Sequence, residues 1–172
     1  MEKTGEEEKK SASSVRVHVY DLSKGMAAML SQPLLGKHID GVWHTGVVVF
    51  GREYYFGSGI NVGRPGATPF GEPLQVLAIG ETEVPVDVFE DFLREIADRY
   101  TPQTYSLLTH NCNNFSDEVC QFLTGEAVPD AIVKLPEEVM KSPLGQAMMP
   151  MLMELERQLS SGGTGGDFGR FR

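Results

Sequence analysis

Residues 42–50 and 53–56 are two runs rich in β-branched and aromatic side chains, and only Gly51-Arg52 separates them. A two-residue link can only return the chain antiparallel beside itself, because a parallel crossover needs a dozen residues or more. Val15, Val17 and Val19 alternate with Arg16, His18 and Tyr20, the pattern of a half-buried strand. Residues 74–79 supply another strand candidate. Helical spacing appears at Met26, Met29, Leu30 and Leu34. It recurs after Pro85 at Val88, Phe89, Phe92, Leu93, Ile96 and Tyr100, and again at Phe115, Val119, Phe122 and Leu123, with Gly125 in the C′ position. Pro136 and Pro150 are placed to open two more short helices. The Gly/Pro-rich segment 57–73 reads as loop. The fold class that follows is α+β, an antiparallel sheet packed with helices.

The 172 residues suffice for one domain with a real core, and 41% apolar and 23% charged content are ordinary for one. Residues 1–14 read as a charged, disordered leader, 15–149 as the domain, 150–159 as an amphipathic helical segment and 160–172 as a flexible Gly/Ser-rich tail. The net charge of −9 argues against nucleic acid, because no basic stripe is available for phosphates. The leader has no apolar core of a signal peptide, and no run approaches the ~20 apolar residues of a membrane span. Cys112 and Cys120 are the only cysteines. Eight residues apart on one helix they lie about 12 Å apart, too far for a disulfide. Unbridged thiols fit a reducing compartment, cytosol or nucleus.

Cys112 stands in His110-Asn111-Cys112-Asn113-Asn114-Phe115, where a loop becomes a helix. A free thiol has a pKa of about 8.5, and helix N-termini and cationic neighbours lower it. The helix dipole contributes roughly 0.3–1 kcal/mol, under about one pKa unit, so a strongly reactive Cys112 also needs an imidazolium. Of four histidines, His18 is expected on a polar strand face and His38 in a solvated loop. His110, two residues before the sulfur, is better placed to line the site or pack under the loop. His44 lies in Trp43-His44-Thr45-Gly46-Val47, an otherwise apolar strand, where an ionisable ring is costly unless paired. Gly46, on the same strand face, leaves space for something to approach. Periodicity leaves two readings of His44 open, a catalytic base and a neutral core histidine bonded to a carbonyl. Cys112 likewise has a plain alternative as a core cysteine, and Cys120 is best read as core.

Other chemistries fit poorly. Gly57-Ser58-Gly59 lacks the spacing of a nucleophile elbow, and Pro65 and Gly66 prevent the helix that a phosphate cradle requires. His110 and Cys112 do not make a zinc site, so neither a metal nor another cofactor is expected.

Five separated segments, 19–25, 43–46, 56–59, 110–115 and 135–139, resemble in order the PPPDE superfamily of cysteine peptidases, in its desumoylating branch. The resemblance spans about residues 15–149. It implies a circularly permuted papain-like fold, with the histidine strand ahead of the cysteine helix, and places the catalytic dyad on His44 and Cys112. It implies cleavage of the isopeptide bond between SUMO, or alternatively ubiquitin, and a target lysine, and a homodimer with its groove at the subunit junction. Cys120 departs from the commoner small apolar residue. On this expectation a thiolate–imidazolium pair attacks the isopeptide carbonyl. Backbone N–H groups of Cys112 and Asn113 are oxyanion candidates, with Asn111 and His110 lining the site. Trp43 and Gly57-Ser58-Gly59 are candidates for a channel that admits a Gly-Gly tail. The same dyad would serve a thioesterase or acyltransferase, and a non-catalytic adaptor for ubiquitin-like proteins is a further alternative. Cytoplasm and nucleus are the expected locations, and residues 149–159 read either as an export signal or as a packed helix.

Overall fold

A computed structural model describes residues 11–147 and 149–161, so most of the expected leader and tail lies outside the described residues. Five strands form one antiparallel sheet: β1 (Ser13–Asp21), β2 (Trp43–Val49), β3 (Arg52–Gly57), β4 (Gly59–Gly63) and β5 (Gln75–Thr82), in the order β4-β3-β2-β1-β5. β1 starts inside the expected leader, with Ser13 paired to Thr82. The hairpin turn falls one residue earlier than the sequence suggested. Val49 pairs with Arg52, so Phe50-Gly51 make the turn, both with positive φ (52° and 71°), as a type I′ turn requires. Segment 57–73 is not all loop. Ile60 and Val62, isolated among glycines, pair with Phe56 and Tyr54 and build β4.

One face of the sheet carries Val15, Val17, Val19, Val47, Val49, Tyr54 and Phe56, all buried. Against it pack α2 (Val86–Ile96), through Phe89, Leu93 and Ile96, and α3 (Cys112–Thr124), through Phe115, Val119, Cys120 and Leu123. The opposite face holds His18, Tyr20, His44, Val48 and Glu53, and residues 64–73 lie over it. His18 is therefore buried against Glu53 rather than exposed, because a loop and not solvent covers that face. Helix α1 (Met26–Leu35), the short α4 (Asp130–Val133), α5 (Leu135–Met140) and α6 (Pro143–Ala147), and the longer α7 (Met149–Ser161) are the other α-helices among the described residues. α7 takes in the whole amphipathic segment and the first residues of the expected tail.

Asp21 fixes the approach to β2. Its carboxylate accepts N–H bonds from Ser23 (2.9 Å), Gly25 (2.7 Å) and Val42 (3.0 Å), and the Ser23 hydroxyl at 2.7 Å. Burial pushes this carboxyl up, but the Ser23 hydroxyl and the backbone donors outweigh it and hold it below the usual carboxylate range. One side chain thus ties the end of β1, the start of α1 and the start of β2 together. No helix among the described residues is long and apolar enough to cross a membrane.

Candidate active site

The start of α3 is set by a reciprocal cap. Asn111 Oδ1 accepts the N–H of Asn113 (2.8 Å) and of Asn114 (3.2 Å), while Asn114 Oδ1 accepts the Asn111 N–H at 2.9 Å. This capping box stops the helix at Cys112, its first residue. Asn111 Nδ2 donates to the Leu107 carbonyl at 2.8 Å and anchors the preceding loop.

The sheet opens to receive this helix end. β3 pairs with β2 only from Val47 onward, so the edge of β2 at residues 43–45 has no strand beside it on that side. Residues 112–116 fill the gap. Asn113 Nδ2 donates to the Trp43 carbonyl at 3.0 Å. The Thr45 hydroxyl donates to Asn113 Oδ1 at 2.9 Å and shares a hydrogen bond with the Ser116 hydroxyl at 2.8 Å. The Cys112 thiol donates to Asn113 Oδ1 at 3.7 Å, and the Thr45 backbone N–H and the Tyr105 hydroxyl lie close enough to favour its thiolate. That N–H belongs to the peptide joining His44 to Thr45, so the thiol lies against the backbone of the expected base. Burial pushes the Cys112 thiol up to about 11, with the Thr45 and Tyr105 hydrogen bonds pulling the other way.

His44 points to the opposite face from Thr45, as strand alternation requires. Its ring stacks on Phe70 (centroids 3.7 Å apart) and meets Tyr20 and Tyr55 at 5.8 and 5.7 Å. Nε2 is buried with no hydrogen-bond partner, and burial pushes the imidazole down to about 3. No hydrogen bond joins it to Cys112 among the described residues. Burial works against a resting thiolate–imidazolium pair in this closed arrangement, because it favours the neutral form of each group. The cause is water exclusion: Phe70 closes His44, and Cys112 is 3% exposed.

The remaining candidates separate. Trp43, Asn111, Cys112 and Asn113 line one cavity of about 400 Å³, walled by Met26, Leu30 and Leu34 of α1, Leu107, Leu108, Leu135 and Val139. The Asn113 N–H is committed to the Asn111 cap, so of the expected oxyanion pair only the Cys112 N–H remains for that task. His110 does not line this cavity. Its Nε2 pairs with the Arg99 carbonyl at 2.7 Å and its ring stacks on Tyr100 at 4.6 Å, which makes it a structural anchor. Gly57-Ser58-Gly59 form the turn between β3 and β4 and lie outside the wall of this cavity. Thr45, Ser116 and Tyr105 went unrecognised in the sequence. Ser116, four residues after Cys112, and Thr45, next to His44, are the ones that spacing could have flagged. No cluster of three or more His, Cys, Asp or Glu able to hold a metal occurs among the described residues.

Comparison with known proteins identifies the family. Desumoylating isopeptidase 1 of Homo sapiens is 44% identical over 154 residues, covering 88% of this chain and 92% of that protein. The Xenopus laevis protein of the same name is 44% identical over 150 residues, covering 86% and 89%. DeSI-like protein sdu1 of Schizosaccharomyces pombe is 30% identical over 129 residues, covering 70% and 63%. The family described as "PPPDE putative peptidase domain" matches residues 13–153, from the first residue of β1 into α7. A match that spans the histidine strand, the split sheet and the cysteine helix makes the chain a member of the PPPDE peptidase family.

Proposed function

We propose that this protein is a cysteine isopeptidase that releases SUMO from target lysines, with Cys112 as nucleophile and His44 as base. The observation that carries the proposal is the seat of Cys112, at a capped helix start in the split between β2 and β3, against the His44–Thr45 peptide. The names of the 44%-identical relatives support the choice of SUMO.

The reaction begins when the site opens and a ring nitrogen of His44 takes the Cys112 proton. The sulfur attacks the carbonyl carbon of the modifier's terminal glycine, and the Cys112 N–H donates to the developing oxyanion. The bond from that carbon to the lysine Nζ breaks, and His44 returns its proton to the departing amine. Water then hydrolyses the thioester and frees the modifier. Burial of both groups disfavours that transfer in the closed arrangement, so substrate binding must bring them together and hydrate or polarise them.

A second reading has its own observation. The cavity beside Cys112 is almost wholly apolar, which suits an acyl chain better than a Gly-Gly tail. The same dyad would then hydrolyse an acyl thioester. We further propose a homodimer, supported by Met26, Met29 and Leu34 exposed along α1, and residence in cytoplasm and nucleus, supported by two free thiols. Residues 149–159 are proposed as a packed helix, since Met151 of α7 lines the cavity.

The test is cleavage of SUMO joined by an isopeptide bond to a fluorescent lysine peptide. Wild type should release the peptide, and Cys112→Ser should not. An equal rate in the folded serine variant would refute the assignment.

A further inference from the structure

Glu53 is fully buried, and nothing in the reaction above uses it. Its carboxylate lies two residues along from His44 on the same face, in the space left by Gly46. A Cβ on that glycine would sit 2.4 Å from Glu53 Oε1. Oε1 accepts the Tyr20 hydroxyl at 2.7 Å. Oε2 accepts the Gly66 N–H at 2.8 Å and lies 3.2 Å from His18 Nδ1. These partners lead to the same place. The Tyr20 ring borders His44 at 5.8 Å, and Gly66 lies in the segment whose Phe70 ring packs on His44 at 3.7 Å. A buried carboxylate is costly unless it is well bonded, and this one is bonded to two of the walls that enclose the imidazole.

We propose that Glu53 is a positioning residue for His44, holding the imidazole between Tyr20 and Phe70 by anchoring the Tyr20 hydroxyl and the 64–73 segment. The inference rests on His44 being the base. The groups that face His44 are Tyr20 from β1, Tyr55 from β3 and Phe70 from the covering segment, with His18 and Glu53 behind Tyr20. None of these neighbours donates to or accepts from Nε2, so ring orientation depends on the aromatic walls. A misplacement of about 1 Å can cost ~10²-fold in rate, which makes such walls matter.

The test reads His44 directly, by NMR titration of labelled histidine, alongside kcat and KM on the SUMO isopeptide substrate. In wild type the His44 imidazole should stay neutral well below its ordinary 6.5. In Glu53→Ala the covering segment is released, water enters, and His44 should titrate near 6.5. There kcat should fall ~10-fold or more with KM nearly unchanged. Glu53→Gln keeps an acceptor for the Gly66 N–H and holds Tyr20 with the hydrogen bond reversed, its amide N–H donating to the Tyr20 oxygen, and should restore most of both. A folded Glu53→Ala protein with an unshifted His44 and normal kcat would overturn the proposal. If Glu53→Ala does not fold, Tyr20→Phe and Phe70→Ala cut the two arms separately. His44 unmoved in both would also overturn it. Normal turnover by folded His44→Ala would instead refute the role of His44 as base, a separate outcome that the titration does not confuse with this one.

Discussion

Cys112 should be a slow thiol at rest, and pH is the perturbation that reveals it. With a pKa of about 11, roughly three thiols in ten thousand are ionised at pH 7.5, against about one in ten for free cysteine at about 8.5, a ~300-fold deficit. A more basic thiolate is also the better nucleophile. With a Brønsted coefficient of about 0.4–0.5 over a gap of about 2.5 units, ~10-fold is returned. The net expectation is alkylation ~30-fold slower than free cysteine, before any further slowing from burial. The rate should rise about tenfold per pH unit from 7 to 10, with no plateau in acid. The assay is timed iodoacetamide labelling followed by peptide mass mapping. Mapping separates Cys112 from Cys120, which is fully buried, pushed up to about 12, and should label more slowly still. A rate that is flat between pH 4 and 7, and that collapses in His44→Ala, would show a resting ion pair and refute the closed, neutral site.

Other perturbations follow from the same contacts. His44 is held neutral far below its unfolded value, so its stabilisation is complete above about 6.5 and is lost as pH falls toward about 3. His44→Gln should therefore flatten the acid loss of stability by up to ~1.4 kcal/mol per pH unit between 6 and 4, read from urea midpoints, and an unchanged slope would contradict it. Thr45→Val leaves the buried Asn113 Oδ1 and Ser116 hydroxyl short of a partner; about 2 kcal/mol, or ~4–8 °C in Tm, should be lost. In Gly41→Ala the new Cβ would lie 2.4 Å from the Trp43 ring, a side chain with little freedom to retreat. Overpacking of about 1–3 kcal/mol and altered Trp43 fluorescence are expected, and a neutral effect on both would mean that Trp43 moves freely.

Much of the fold was legible because its signals were local. The 42–56 hairpin, the β1 alternation and the α2 and α3 stripes depend on period and short links, and each formed. The turn slipped by one residue because Phe50 accepts a left-handed backbone that sequence assigns to glycine first, its ring resting near Phe89. β4 was hidden since only Ile60 and Val62 carry its pattern. In the site, Cys112, His44 and Asn111 stood out by chemistry at an element boundary. The fates of His110 and Gly57-Ser58-Gly59 depend on tertiary packing that no spacing encodes. His18 was misplaced for one reason: alternation marks two strand faces but not what covers each of them, and residues 64–73 turned the polar face into an interior. The same cover buries the His44 ring and pushes its pKa down.

The central claim is that Cys112 attacks the C-terminal carbonyl of a SUMO modifier. SUMO and ubiquitin probes with a thiol-trapping group at the C-terminus, applied side by side to the intact protein, test it most directly. The SUMO probe should add its mass once, at Cys112, faster than the ubiquitin probe, and addition should disappear in Cys112→Ser. Addition that persists in Cys112→Ser, or that maps to Cys120, would contradict it.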